Sequence, residues 1–282
     1  MNKRLRRRKK IRKAIINGII SIVCIVICLG PLVWCISTSV KHNNEILATP
    51  PKLIASEVTL SHYKNVIDAG FGNNLLVSLF YAAITIIAGL IMGILAAYGF
   101  DRFRFKGEKA MFFMVVASIP MSIGSSSILI PTYMYLSDIH LVDKWYTLPI
   151  LYTLYNLPMA IWILKGSFEA VPKALDEAAR IDGCSNLSIL FRVGIPLIRP
   201  GIVSAAMFLF IGAWNDYLSG SVMVTANSLR NVQFSIYSYL GFFGREWGNL
   251  TAAATLALVP IILLFVVLGR HLISGLTNGS VK

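Results

Sequence analysis

Charge is what this sequence has least of. Only 14% of its 282 residues are Asp, Glu, Lys or Arg, against about 25% in typical soluble domains. Acids are the scarcer sign, 13 against 26 basic residues. With 56% hydrophobic residues and a mean hydropathy of +0.69, a water-soluble fold would run out of polar surface, so the bulk of the chain must lie in lipid. Cysteine is also sparse, at four. Cys24, Cys28 and Cys35 fall in one apolar stretch and Cys184 in a polar one, none at metal-ligand spacing from a histidine. They read as small apolar filler, with neither disulfide nor metal. None of the 21 glycines is followed by lysine, which excludes the G-x-x-x-x-G-K-[ST] phosphate loop. No Asp, Glu, Lys or Arg sits centrally in any long apolar stretch, where an ion-coupled secondary transporter would keep its acids. The histidines, His42, His62, His140 and His271, lie outside those stretches, which leaves an intramembrane enzyme without a base or a metal set.

What is present is a row of apolar runs. A hydrocarbon core of about 30 Å needs about 20 residues of helix. Six stretches qualify: Ala14 to Thr38, Leu75 to Tyr98, Ala110 to Ile130, Trp145 to Leu164, Leu197 to Tyr217 and Leu250 to Gly269. The expected fold is all-α and polytopic, with six transmembrane helices. The fifth stretch is the weakest, with Arg199 near one end and Asn215 and Asp216 near the other; Arg199 can snorkel to the interface. The first is too long for a signal peptide's apolar core and reads as an uncleaved span.

Basic residues set the expected sidedness. Nine lie within residues 1–13, directly before the first span. That arm reads as a topogenic anchor able to touch anionic lipid, not as a nucleic-acid site. With the N-terminus inside, the inner segments hold 20 Lys and Arg and the outer ones 6. Both termini are therefore expected in the cytoplasm. The outer connection 41–74, with Pro50, Pro51 and an alternating run, is expected to form a small cap. The outer connection 218–249 is rich in aromatics and reads as interfacial belt or as a re-entrant loop. Pro31, Pro120, Pro158 and Pro260 interrupt spans, either as kinks around a cavity or as the ordinary tolerance of membrane helices for proline. Gly89, Gly93 and Ala97 recur every four residues, a small face suited to close helix packing.

Residues 169–201 stand apart, because they are polar yet patterned. Pro172 suits a helix start. Leu175, Ala178, Ala179 and Asp182 recur at three- and four-residue spacing, and Gly183 offers a left-handed stop. Ser185 can cap a second helix, with Leu187, Leu190, Phe191 and Gly194 as its stripe and Pro196 as its end. The expectation is a helix-turn-helix along the inner membrane surface. Ala178 and Ala179 give it a shallow face, flanked by Glu177 and Asp182. That face suits a groove on another protein; the alternative is a hairpin folded onto its own helix ends.

The segment DEAARIDGCSNLSILFRVGIPLIRP resembles the EAA loop of ABC-type importer permeases, with Glu177, Ala178, Ala179, Gly183 and Pro196 in register. Ile195 stands where leucine is usual. LPMAIWILKGSFEAVPKALDEAARIDG from Leu157, the run Ala213 to Asp216, WGNLTAAATLALVPIILLFVV from Trp247 and the tail GLTNGSVK resemble the carbohydrate branch, and within it the subunit corresponding to the smaller maltose-importer permease. Ser280 replaces the usual alanine. The resemblance runs from about the second span to the last residue. It implies a membrane domain over 14–282 of a prokaryotic cell-membrane importer, paired with a second homologous permease and two ATPase subunits. An extracytoplasmic solute-binding protein would deliver sugar. ATP and Mg²⁺ would be bound by the ATPases, with no cofactor in this chain. Glu177, Ala178, Ala179, Asp182 and Gly183 would dock an ATPase, and the tail (270–282), with Gly275, Gly279 and Lys282, would reach between the two. Asn156, Trp214 and Asn215 are the polar and aromatic candidates for a sugar path. Plainer readings are an interhelical hydrogen bond for Asn156 and an interfacial anchor for Trp214 and Asn215. A permease for an oligopeptide or amino acid is the alternative within the class.

Overall fold

The computed structural model describes residues 2–122, 126–241 and 245–277. It is helical, with no strand among the described residues. The chain divides into two units, residues 1–69 with 238–258, and 70–237 with 259–282.

In the first unit the helix Asn2–Ser39 carries the basic arm and the first apolar stretch without a break, across Pro31. From Ile15 to Ile36 its large apolar side chains are 40–68% exposed. A helix apolar on every side is a lipid-facing helix. It ends where the chain turns polar. There Lys41, 3% exposed, donates to the Lys52 carbonyl and lies 4.9 Å from the centre of the Trp34 ring. The connection beyond folds into short helices, Asn43–Ile46 and Ser61–Asp68, so its alternating run forms no strand. His62 pins this cap. Its Nε2 lies 2.9 Å from the Lys41 carbonyl oxygen and its Nδ1 3.1 Å from Asn249 Oδ1. The ring lies so close to Gly248 that a Cβ there would collide with it.

The second unit is built on three packed helices, Phe71–Arg102, Thr147–Glu169 and Arg199–Trp214. The first of these starts at Gly70, whose φ of +88° only glycine adopts without cost. Its 32 residues span about 48 Å at 1.5 Å each, well beyond a ~30 Å core. Ala82, Thr85, Gly89, Gly93 and Ala97 form its buried face. A Cβ on Gly89 would stand 2.7 Å from Leu209, and one on Gly93 3.0 Å from Leu164. The small-residue face is thus the seam along which the other two helices approach. Ala160, Leu164, Phe168, Leu190, Ile198, Ala205 and Leu209 complete the core around it.

Four helices among the described residues are long and apolar enough to cross a membrane: Ile15–Ser39, Phe71–Arg102, Thr147–Glu169 and Trp247–Gly269. Arg199–Trp214 makes a fifth if joined to the preceding Asn186–Leu197, from which it bends by 81°. The stretch 110–130, expected as one span, is not one helix. It comprises Glu108–Ala117, Ile119–Ser122 and the start of Ser126–Asp138, with residues 123–125 outside the described set. Pro120 lacks an N–H and crowds the carbonyl four residues earlier, which accounts for the first break. Pro158 and Pro260 sit inside unbroken helices.

The loop after Arg199–Trp214 folds into Leu218–Met223, a 3₁₀ turn at Asn227–Leu229, and Val232–Ser238. Asp216 organises it. Its carboxylate accepts from the Tyr152 hydroxyl (2.9 Å), from the Ser219 N–H (3.2 Å) and hydroxyl (2.9 Å), and from the Gly220 N–H (2.9 Å). Asp143 plays a similar part from the facing connection. It accepts from the Ala226 and Thr225 N–H groups at 3.0 Å each and from the Thr225 hydroxyl at 2.8 Å. Those donors, Ala226 foremost, hold its carboxyl below the usual carboxylate range.

Candidate functional site

The segment 169–201 folds as two arms about a glycine. The first arm is the helix Ala174–Ile181. Its stop satisfies the orphan carbonyls of the last turn. The Gly183 N–H donates to the Arg180 carbonyl and the Cys184 N–H to that of Ala179, both at 3.0 Å, with Gly183 at φ +81°. This is the Schellman arrangement, which needs a left-handed residue at that position. Ser185 then caps the second arm, its hydroxyl accepting from the Ser188 N–H at 3.3 Å. The second arm runs Asn186–Ile189, a π turn at Leu190–Gly194, and Ile195–Leu197. Arg180 bridges the arms through Asn186 Oδ1 at 3.2 Å.

Burial separates the arms. In the second, Ile189 (0% exposed), Leu190 (1%), Gly194 and Ile198 pack into the core. The expected stripe is only half right, because Leu187 and Phe191 are both 62% exposed. A π turn advances fewer degrees per residue than an α-helix, so a three-and-four spacing read across it does not stay on one face. In the first arm the expected stripe is not covered by the described residues. Leu175, Ala178 and Asp182 are exposed and Ala179 is half-buried. Glu177 and Gly183 are exposed too, and Ile181 is 88% exposed. The sequence-derived docking residues Glu177, Ala178, Ala179, Asp182 and Gly183 therefore share one short, open element.

The single buried residue of the first arm is Asp176. Its carboxylate lies 2.5 Å from the Arg102 guanidinium at the end of Phe71–Arg102. Arg102 also pairs with Asp101 and donates to the Val171 carbonyl at 3.0 Å. Sequence reading missed this cluster. The available signal was a charged pair, Asp101–Arg102, closing an otherwise apolar helix.

The remaining candidates are dispersed. Asn156 donates back to the Tyr152 carbonyl at 2.7 Å, and its amide packs against Gly212, where any Cβ would strike it. Trp214 is 1% exposed and stacks on Phe210 with ring centres 5.2 Å apart. Asn215, at the helix C-cap, is exposed. Gly275 lies on Trp247–Thr277; Gly279 and Lys282 lie outside the described residues.

Residues 89–278, more than half of the chain, match the family model described as binding-protein-dependent transport system inner membrane component. The chain belongs to that family, and is a multi-pass membrane transport component rather than an enzyme. It is 31% identical over 268 residues to the diacetylchitobiose uptake system permease protein DasC of Streptomyces coelicolor, covering 93% of this chain and 96% of that one. It is 29% identical over 280 residues to the trehalose/maltose transport system permease protein MalG of Thermococcus litoralis, covering 98% and 99%. In fold it is similar to a chain of a bacterial ABC transporter involved in the import of the acidic polysaccharide alginate. That match has a TM-score of 0.77 at 21% identity over 96% of this chain and 98% of that one.

Proposed function

We propose that this chain is one of two homologous permeases of a carbohydrate importer, driven by two separate ATPase subunits and fed by an extracytoplasmic binding protein. The observation that carries this reading is the open first arm. An eight-residue helix with one buried residue and an 88% exposed isoleucine is incomplete by itself and fits a partner's groove. Its position supports the reading as well. The second arm meets Arg199–Trp214 at 81°, so it lies along the membrane plane if that helix crosses the membrane. The saccharide names of the similar permeases favour carbohydrate over a peptide or amino acid. On this reading six spans place both termini and the hairpin in the cytoplasm. The ATPases hold ATP and Mg²⁺, and the tail with Gly275, Gly279 and Lys282 reaches between them. Asn156 and Asn215 offer polar groups to the sugar path, and Trp214, buried against Phe210, presents no face to it.

The test is reconstitution of the chain with its second permease and ATPases in proteoliposomes, supplied with binding protein and a panel of labelled trehalose, maltose and diacetylchitobiose. ATP-dependent uptake of a panel member is expected, with no ATP hydrolysis by the isolated chain. Hydrolysis by the isolated chain, or saccharide uptake by an assembly that lacks the ATPases, contradicts the reading. Single cysteines at Ser185 and Glu57, in a background without the native four, check sidedness. An impermeant thiol reagent on intact cells should label only the Glu57 site.

A further inference from the structure

We infer that Arg102 and Asp176 are positioning residues that transmit movement of the docking arm to the membrane helix Phe71–Arg102. The inference rests on the reading of the hairpin as an ATPase-docking element, and assigns the link by which that element acts on the pathway. The first arm meets the chain's core through one buried side chain, and that side chain is a carboxylate. Asp176 and Arg102 are 2.5 Å apart, with their side chains 8% and 4% exposed. The same guanidinium holds the Val171 carbonyl, where the chain enters the hairpin, at 3.0 Å, and the Asp101 carboxylate beside it, itself 6% exposed. One guanidinium thus meets the root of the hairpin and the end of a 32-residue helix through hydrogen bonds, and the first arm through an ion pair without hydrogen-bond geometry. Arg is suited to this because its donors are fixed in one plane.

The mechanical consequence follows from what else joins the parts. The second arm is close-packed into the core and moves with it, whereas the first arm reaches that core through the ion pair and is joined to the second arm through Arg180 and Asn186. A buried ion pair does not slide, since separating its partners leaves an uncompensated charge. A displacement of the first arm is therefore passed to the end of Phe71–Arg102. That helix is seated on Leu164 and Leu209 through Gly93 and Gly89, so it carries the movement to the other two helices of the core. Glu177 and Asp182 face outward and play no part in the link, so docking and transmission are separable.

The test uses the full assembly in proteoliposomes and the panel saccharide that the wild type imports, with molecules imported per ATP hydrolysed as the readout. Asp176→Asn should keep its ATPase subunits and hydrolyse ATP while that ratio falls by about tenfold or more, as one partner of a buried pair is lost. Asp176→Glu, which keeps the carboxylate at the cost of one methylene, should retain more of the ratio than the isosteric Asp176→Asn, an order that a merely space-filling role would reverse. Arg102→Lys, which keeps the charge but gives up the fork, should fall between. A wild-type ratio in Asp176→Asn overturns the inference. So does loss of the ATPase subunits in that variant, which would make the pair part of docking. If Asp176→Asn fails to insert, Arg102→Lys decides: a lowered ratio supports transmission and a wild-type ratio overturns it. Failure of the importer reading looks different, because the wild type itself would then show no ATP-driven uptake.

Discussion

The two arms of the hairpin are of similar size and adjacent in sequence, yet they are built on opposite principles. The second arm buries Ile189, Leu190, Gly194 and Ile198 and belongs to the core of the chain. The first arm shows Leu175, Ala178 and Ile181 to the outside and is tied down through the buried Asp176 and the exposed Arg180–Asn186 bond. The second arm leaves Leu187 and Phe191 open but is anchored by its buried residues, whereas the first leaves most of its surface uncovered by the described residues, a surface that an ATPase covers on the proposed reading. Gly183 joins them and sets the angle at which the open arm is presented.

That contrast can be broken most severely at the joint. Gly183→Val places a β-branched residue at φ +81°, at a cost of roughly 1–2 kcal/mol. The cost is small against the insertion of several apolar spans but falls on the one turn that aims the first arm. Membrane abundance should be near normal, while ATPase co-purification and ATP-dependent uptake drop to background; normal uptake at normal abundance would remove the hairpin from the mechanism. Leu190→Ala probes the second arm. It empties a site that is 1% exposed and should cost about 2–5 kcal/mol, read as lower thermal stability of the detergent-solubilised chain. Glu177→Lys reverses an exposed charge on the first arm. Stability should be unchanged, and the retained ATPase should fall and depend on salt. Ile181→Ala is the mildest, with stability within about 0.5 kcal/mol of the wild type because the side chain is 88% exposed. Its effect should appear only as weaker ATPase retention. Equal losses of stability for Leu190→Ala and Ile181→Ala would abolish the distinction between the arms.

Local chemistry made the joint legible in sequence. Gly183 and Ser185 are a stop and a cap, and each works through bonds to residues within four positions. The small face Gly89, Gly93 and Ala97 was legible for a similar reason, since close packing requires small side chains wherever it occurs. What lay beyond reach depended on distant partners or on backbone irregularity. The Arg102–Asp176 pair joins residues far apart in sequence. The π turn at Leu190–Gly194 shifted the second arm's buried face and split the stripe that regular spacing suggests. Proline content did not reveal which helix breaks: Pro120 lies at an interruption, while Pro158 and Pro260 do not. Among the candidates for the sugar path, Trp214 looked like an interfacial residue in sequence but lies buried against Phe210.

The central claim, that the first arm is a surface completed by a partner and the second is not, is tested most directly by amide hydrogen exchange. The two permeases would be compared with and without the ATPase subunits bound. Amides of residues 174–183 should gain protection when the ATPases bind, while those of 189–198, already packed in the chain's own core, should not change. Unchanged exchange across 174–183, or a gain confined to 189–198, would contradict the account.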